Sequence, residues 1–256
     1  MNRIVLSLAC VAACKSGPAA SPQADRGPAL KAAVDSPDRS EADRKLDGGR
    51  HPLETLTFLE VRPGMKVLDL GAGTGYTTEL IARAVTPGGV VYMQNDPRWL
   101  PFLKDALAER FTHPAMQQGV VRAEIPFDEP VPPQAKDLDL AVMNVIYHDV
   151  VNMPVDRARM NQLIFEALKP GGVYVVIDSS AKDGTGLSET KTLHRIDEKV
   201  VRDEVQKAGF QLAGQGDFLR NPGDSRDWNA SPNAATQAGK RGTSDRFALR
   251  FVKPAK

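Results

Sequence analysis

The sequence predicts an α/β protein: a three-layer αβα sandwich around a seven-stranded, mostly parallel sheet, with one antiparallel strand near the C-terminus. Three observations lead there. Short apolar runs such as KVLDL (66–70) and VYVVID (173–178) alternate with helical patterns, as strands buried on both faces do. A glycine-rich turn, Gly71-Ala72-Gly73-Thr74-Gly75, joins the first of these runs to a helix. The last two strand patterns are joined without an evident helix, so one of them is expected to run antiparallel.

The elements follow in order. Ser36-Pro37 reads as a helix cap and first-turn proline, and Asp38, Glu41 and Asp43 suit the positive end of that helix. Gly48-Gly49 is expected to stop it, and a second helix runs over 52–60 before the turn Arg62-Pro63-Gly64. Strands are expected over 66–70, 90–94, 120–123, 138–144, 173–178, 210–214 and 247–252. Helices are expected over 76–84, 99–110, 155–168 and 193–208. The connection over 215–246 is long and rich in Gly, Asn, Asp and Ser, the composition of a lid or binding loop.

Composition bounds the function. The chain has 256 residues, of which 41% are hydrophobic and 25% charged, suiting one folded domain with extra N-terminal sequence. Its 33 Lys and Arg against 32 Asp and Glu give a formal charge of +1, without the basic excess of a nucleic-acid binder, so no nucleic-acid partner is expected. Residues 1–14 (MNRIVLSLACVAAC) read as an export signal: Arg3, then an apolar stretch too short to span a bilayer. Val11-Ala12-Ala13-Cys14 resembles a bacterial lipobox, which implies a membrane tether through a lipidated Cys14 and a place in the cell envelope, or the cytoplasm if the signal does not function. Residues 15–35 read as a flexible linker and 36–256 as the folded domain. Both cysteines, Cys10 and Cys14, lie in the signal, so the domain holds no disulfide, thiolate metal site or Cys nucleophile.

The glycine turn carries the chemistry. Glycines adopt positive φ and let a ligand approach the backbone, and the first amides of the next helix are free to meet a carboxylate. A dinucleotide site would use G-x-G-x-x-G, with a small residue where Tyr76 stands. The G-x-G-x-G spacing found here, with LKPGG (168–172) ahead of VYVVID, resembles instead the motifs of class I S-adenosylmethionine-dependent methyltransferases, which have a Rossmann-like fold. Longer stretches, among them SPDRSEADRKLDGGRHPLETLTFLEVRPGMKVLDLGAGTGYTTELIARAV, NVIYHDVV and LRNPGDSRDWN, are similar to a group of exported bacterial predicted methyltransferases.

The resemblance implies S-adenosyl-L-methionine as cofactor, with Asp69, Gly71, Ala72, Gly73 and Gly75 around its methionine part. Where most class I enzymes end the second strand with an acid that grips the ribose, this chain has Asn95, followed by Asp96: either Asn95 hydrogen-bonds the ribose more weakly, or Asp96 substitutes for it. Glu124, after the third strand, is the candidate for the adenine amino group. Asn144, Tyr147, His148 and Asp149 follow the fourth strand, where such enzymes face the reacting methyl group; the last three are candidates for orienting or deprotonating the acceptor. His194 is a weaker catalytic candidate, in a polar cluster with Arg195 and Asp197 that reads rather as a helix N-terminal cap and salt bridge. Arg220, Asp227 and Trp228 stand in the long loop as groups that could close over a substrate. With no HExxH and no Cys/His array, no metal site is expected. The expected function is methyl transfer to a small-molecule acceptor. The alternatives are a non-catalytic binding or envelope interaction protein on the same scaffold, and an NAD-dependent oxidoreductase, which the glycine spacing disfavours.

Overall fold

The structure is a computed structural model that describes residues 26–255. The expected signal over 1–14 and most of the linker lie outside the described residues. The end of that linker departs from expectation: α1 spans Gly27–Asp35 and buries Leu30 and Ala33 against the domain. Ordered structure therefore begins before Ser36. The two apolar side chains stand three residues apart on one helix face, too few to register in a Pro- and Ala-rich stretch.

Helix α2 spans Glu41–Arg50, with Ser40 as its N-cap accepting from the Asp43 amide at 3.1 Å. It runs through Gly48 and Gly49 instead of stopping there. The reason is packing: a Cβ on Gly49 would sit 2.5 Å from Gly242 Cα, so the helix needs glycine where the later loop crosses it. Helix α3 (Pro52–Leu59) leads to β1 (Lys66–Leu70), α4 (Tyr76–Val85) and β2 (Val90–Asn95). Then come α5 (Leu100–Arg110), a short α6 (Pro114–Gly119), β3 (Val120–Glu124) and β4 (Leu138–Asn144). A five-residue α7 (Tyr147–Val151) and α8 (Arg157–Ala167) precede β5 (Leu168–Ser179). Finally come α9 (Glu198–Lys207), β6 (Gln211–Gly216), α10 (Pro232–Gln237) and β7 (Arg246–Val252).

Among the described residues the sheet has seven strands in the order β3-β2-β1-β4-β5-β7-β6. Strands β1 to β5 pair in parallel, and β7 runs antiparallel to both β5 and β6, although the short α10 lies in the connection between β6 and β7. The LKPGG segment is not a separate turn. It forms a bulge within β5, where Leu138 pairs with Leu168 but Leu140 with Val173. Gly172 is needed there, because a Cβ would meet Lys169 O at 2.8 Å.

Strand residues alternate between two apolar layers. Leu68, Leu70, Met143, Tyr174 and Val176 pack with Met160, Ile164, Val201 and Val205 of α8 and α9. Val67, Val91, Leu140, Val142, Val175 and Ile177 pack with Leu30, Leu56, Leu59, Leu80 and Ile81 on the opposite face. Each fully buried aliphatic side chain contributes on the order of 2 kcal/mol. Helices on both faces make the three layers.

Chain order reverses between β1 and β4, since β2 and β3 extend the sheet one way and β4 the other. Open α/β sheets bind ligands at such a switch point, beyond the strand C-termini. The glycine turn after β1 and the segment 144–149 after β4 both lie there.

Candidate active site at the switch point

The turn after β1 has Gly71, Gly73 and Gly75 at φ of 60°, 58° and 85°, conformations that side-chain-bearing residues rarely adopt. At Gly73 the space is open: a Cβ there would meet no protein atom within 4 Å. At Gly71 a Cβ would strike Ile146 Cγ2 at 2.6 Å, so this glycine lets the two loops close on each other. The first bond that α4 makes back to the turn is from the Glu79 amide to Gly75 O, at 3.0 Å. Among the described residues, no side chain caps the amides that begin that helix. Such an end attracts a carboxylate or other anion.

Beside it is a narrow cleft lined by Arg50, Pro52, Tyr76, Thr77 and Asn144. Asn144 donates to Thr77 Oγ1 at 3.2 Å, linking the end of β4 to the start of α4. The Arg50 guanidinium stacks on the Tyr76 ring, 4.3 Å from its centroid, and burial pulls its pKa below the ordinary arginine value. An uncapped helix start beside a desolvated cation matches the carboxylate end of an amino-acid-like cofactor. A wider cleft of about 480 Å³ is lined by Val155, Arg157, Gln162 and Glu204; neither cleft includes residues 71–75, but the narrow one reaches the first residues of α4, Tyr76 and Thr77.

Asp69 is buried under the turn and accepts from Thr78 Oγ1 at 2.5 Å. Burial pushes its carboxyl up to about 7, and the Thr78 hydrogen bond offsets only part of that. Ala72 belongs to the turn itself, its amide donating to Gln94 O at 3.0 Å. Asn95 is engaged by the turn. Its carboxamide accepts from the Gly73 amide at 2.8 Å and donates to Gly73 O at 3.0 Å, so it braces the turn. Asp96 does not substitute for it, because Arg98 and the Phe127 amide occupy its carboxylate. Burial favours the protonated acid, but those partners hold the Asp96 pKa below the usual carboxylate value. Glu124 is exposed at the end of β3 and ion-paired with Arg122. Asn95 and Asp96 are thus taken up within the protein, while Glu124 faces solvent.

Tyr147 is also taken up within the protein. It is fully buried, and its hydroxyl donates to Glu204 Oε2 at 2.7 Å while accepting from Asn161 Nδ2 at 2.8 Å. The ring faces the α8–α9 side of the sheet, where it ties α7 down. His148, Asp149 and His194, by contrast, come together. His148 is 3% exposed, and its Nδ1 donates to Asp178 Oδ1 at 2.7 Å. Burial favours neutral imidazole, yet the Asp178 and Asp149 carboxylates outweigh it and raise the His148 pKa. His194 and Asp149 have side chains 31% and 35% exposed, so they form the accessible side of this group.

Arg195 and Asp197 follow the structural reading of their cluster. Asp197 caps α9, and the fully buried Arg195 pairs with Asp224 at 2.8 Å and stacks on Trp228. Trp228 Nε1 donates to the same Asp224, and Arg220 pairs with Glu198 and Asp245. Asp227 is exposed beside Ser225. The loop over 217–245 is thus pinned down by buried ion pairs.

Sequence reasoning missed Asp178, which orients His148 from the end of β5, and Arg110. Arg110 bridges Asp43 and Glu79 and donates to Thr74 O at 3.0 Å, fixing α2 and α5 to the glycine turn. Its partners lie 31 and 67 residues away, so no local pattern announces them.

The comparisons agree with this geometry. A family model described as protein-L-isoaspartate(D-aspartate) O-methyltransferase matches residues 51–99, the span holding β1, the glycine turn, α4 and β2. A protein-L-isoaspartate O-methyltransferase of Methanopyrus kandleri is 28% identical over 152 residues, 54% of this chain and 59% of that one. A ubiquinone/menaquinone biosynthesis C-methyltransferase of Burkholderia multivorans is 26% identical over 155 residues, 58% of this chain and 59% of that one. The chain thus spans about three fifths of the length of these curated relatives. The crystal structure of a SAM-dependent methyltransferase from Aquifex aeolicus superposes with a TM-score of 0.55 at 15% identity, covering 88% of this chain and 98% of that one. The fold is therefore the Rossmann-like fold found in S-adenosylmethionine-dependent methyltransferases.

Proposed function

We propose that this chain is an S-adenosylmethionine-dependent methyltransferase acting on a small-molecule acceptor. The observation that carries the reading is the open glycine turn at the switch point, with an uncapped helix start and Arg50 beside it. The amides at the start of α4 and Arg50 hold the cofactor carboxylate, Asp69 lies beneath its ammonium end, and Asn144 borders the methyl group. When bound, the cofactor supplies a methyl group already activated on a sulfonium. The chain's own task is then alignment, which is worth roughly 7–11 kcal/mol in favourable cases.

An acceptor that approaches from the end of β4 meets Asp149 and His194 first, because these are the exposed members of the polar group. A hydroxyl or amine acceptor must lose its proton, and these side chains receive it. His148 lies behind them, positioned by Asp178, and acts through them. Neither Asn95 nor Asp96 is free to hold the ribose, so nucleoside recognition falls to backbone and apolar contacts in this reading. With the N-terminal signal, the domain works in the cell envelope.

The test is incubation with cofactor carrying a labelled methyl group and a panel of small hydroxyl, amine and thiol acceptors. Label transfer with matching formation of S-adenosylhomocysteine is expected. Folded protein that binds cofactor but transfers to none of them would favour the non-catalytic scaffold.

A further inference from the structure

We propose that His148, Asp149 and His194 bind one divalent transition-metal ion of the zinc class, with one coordination position left open. Three potential ligand atoms converge: His148 Nε2, Asp149 Oδ1 and His194 Nδ1. His148 Nε2 lies 3.4 Å from Asp149 Oδ1 and 3.3 Å from His194 Nδ1, and His194 Nδ1 lies 3.3 Å from Asp149 Oδ1. The triangle is nearly equilateral. An ion about 2.1 Å from each corner would see every pair under an angle of about 105°, close to tetrahedral. The fourth direction then points away from the three protein ligands, toward the exposed side of Asp149 and His194.

The surroundings fit such an ion. An ionised Asp178 can only accept, so its 2.7 Å bond holds the His148 proton on Nδ1, and in the neutral ring the Nε2 lone pair faces the cluster. A carboxylate behind a ligating imidazole is the usual means of fixing its tautomer and orientation. His148 N also donates to Asp178 Oδ2 at 2.9 Å, locking the ring to β5. His194 is held at a left-handed φ of 50° on a segment anchored by the buried Arg195–Asp224 pair. Both walls of the site are therefore preorganised. Two carboxylates, Asp149 and Asp178, flank two imidazoles, and a dication balances them. Imidazole nitrogens select zinc, cobalt, nickel or iron over magnesium and calcium. The open position takes water or an oxygen donor of a small ligand.

The experiment uses the full chain, stripped with a chelator and titrated with Co²⁺ as a spectroscopic probe, then with Zn²⁺ in competition, with no cofactor present. One equivalent of Co²⁺ is expected to give the intense visible absorption of a four-coordinate ion, and Zn²⁺ to abolish it. His194→Ala and Asp149→Asn alter part-exposed side chains and should leave the circular dichroism unchanged while weakening Co²⁺ binding by about 100-fold. Asp178→Asn should weaken it about 10- to 100-fold through the orientation of His148. Absence of saturable Co²⁺ binding, or binding unaffected by His194→Ala, would overturn the proposal and leave a hydrogen-bonded cluster without an ion. A bound ion would occupy the lone pairs with which Asp149 and His194 would otherwise accept a proton, so Co²⁺ binding would displace that role; cofactor seating at the glycine turn is measured separately and stands or falls on its own.

Discussion

Asn95 holds Gly73 by both faces of its carboxamide, accepting from the glycine amide at 2.8 Å and donating to its carbonyl at 3.0 Å. The second strand thus sets the shape of the turn after the first. Each bond contributes about 1 kcal/mol net. Asn95→Ala should lower stability by about 1–3 kcal/mol and weaken cofactor binding, read from urea denaturation and from calorimetry. Unchanged binding would mean that the turn keeps its shape without this brace.

The adjacent glycines of α2 should respond in opposite directions. A Cβ on Gly48 meets nothing within 4 Å, so Gly48→Ala should raise stability by about 0.5–1 kcal/mol through helix propensity. A Cβ on Gly49 meets Gly242 Cα at 2.5 Å, backbone that cannot swing away, so Gly49→Ala should cost about 1–3 kcal/mol. Thermal unfolding of the two variants distinguishes the signs directly.

Asp69 gives a pH dependence. Burial raises its folded-state pKa to about 7 from an unfolded value of 3.8, so the unfolded state loses its proton first as pH rises. Its contribution is fully present below pH 4 and is lost between about pH 4 and 7. At about 1.4 kcal/mol per unit, the loss is on the order of 4 kcal/mol. Asp69→Asn keeps an acceptor for Thr78 and should flatten this part of the stability profile. A cationic cofactor group near Asp69 should favour the carboxylate, so wild-type affinity should rise with pH toward 7. Denaturation midpoints of both proteins from pH 5 to 8 check the first expectation, and calorimetry over that range checks the second.

The Arg195–Asp224 pair is closed off from water on both sides. Asp224→Ala would leave a buried guanidinium with only carbonyl partners and should cost about 3–5 kcal/mol. Asp227→Ala, three residues on in an exposed position, should change stability by less than about 0.5 kcal/mol. Comparing their denaturation midpoints tests whether buried ion pairs hold the long connection in place.

These residues also show what a sequence can and cannot announce. The strands were legible because apolar runs buried on both faces need no partner to be recognised. The glycine turn was legible because its three glycines, the strand before and the helix after are contiguous. Helix α1 rests on two buried side chains, and α7 and α10 are five and six residues long, too short to show a period. The expected helix start at Leu193 moves to Glu198 because His194 takes a positive φ and Asp197 supplies the cap. The polar group at the crevice joins residues 30 and 46 positions apart, Asp178 and His194 to His148, so its members were visible singly but not as a set. Asn95 and Asp96 occupy the expected register position, but their side-chain partners, the Gly73 backbone for one and the Arg98 guanidinium with the Phe127 amide for the other, were not legible from it.

In the proposed function, the open turn after β1 seats the methionine end of the cofactor. Calorimetric titration of wild type and Gly73→Ala with S-adenosylhomocysteine tests it most directly. A Cβ at residue 73 meets no protein atom, so beyond a backbone cost of about 1–2 kcal/mol the variant should fold normally. Saturable one-to-one binding to wild type is expected, weakened about 10-fold or more in the folded variant. No binding to wild type, or equal binding to both, would contradict it.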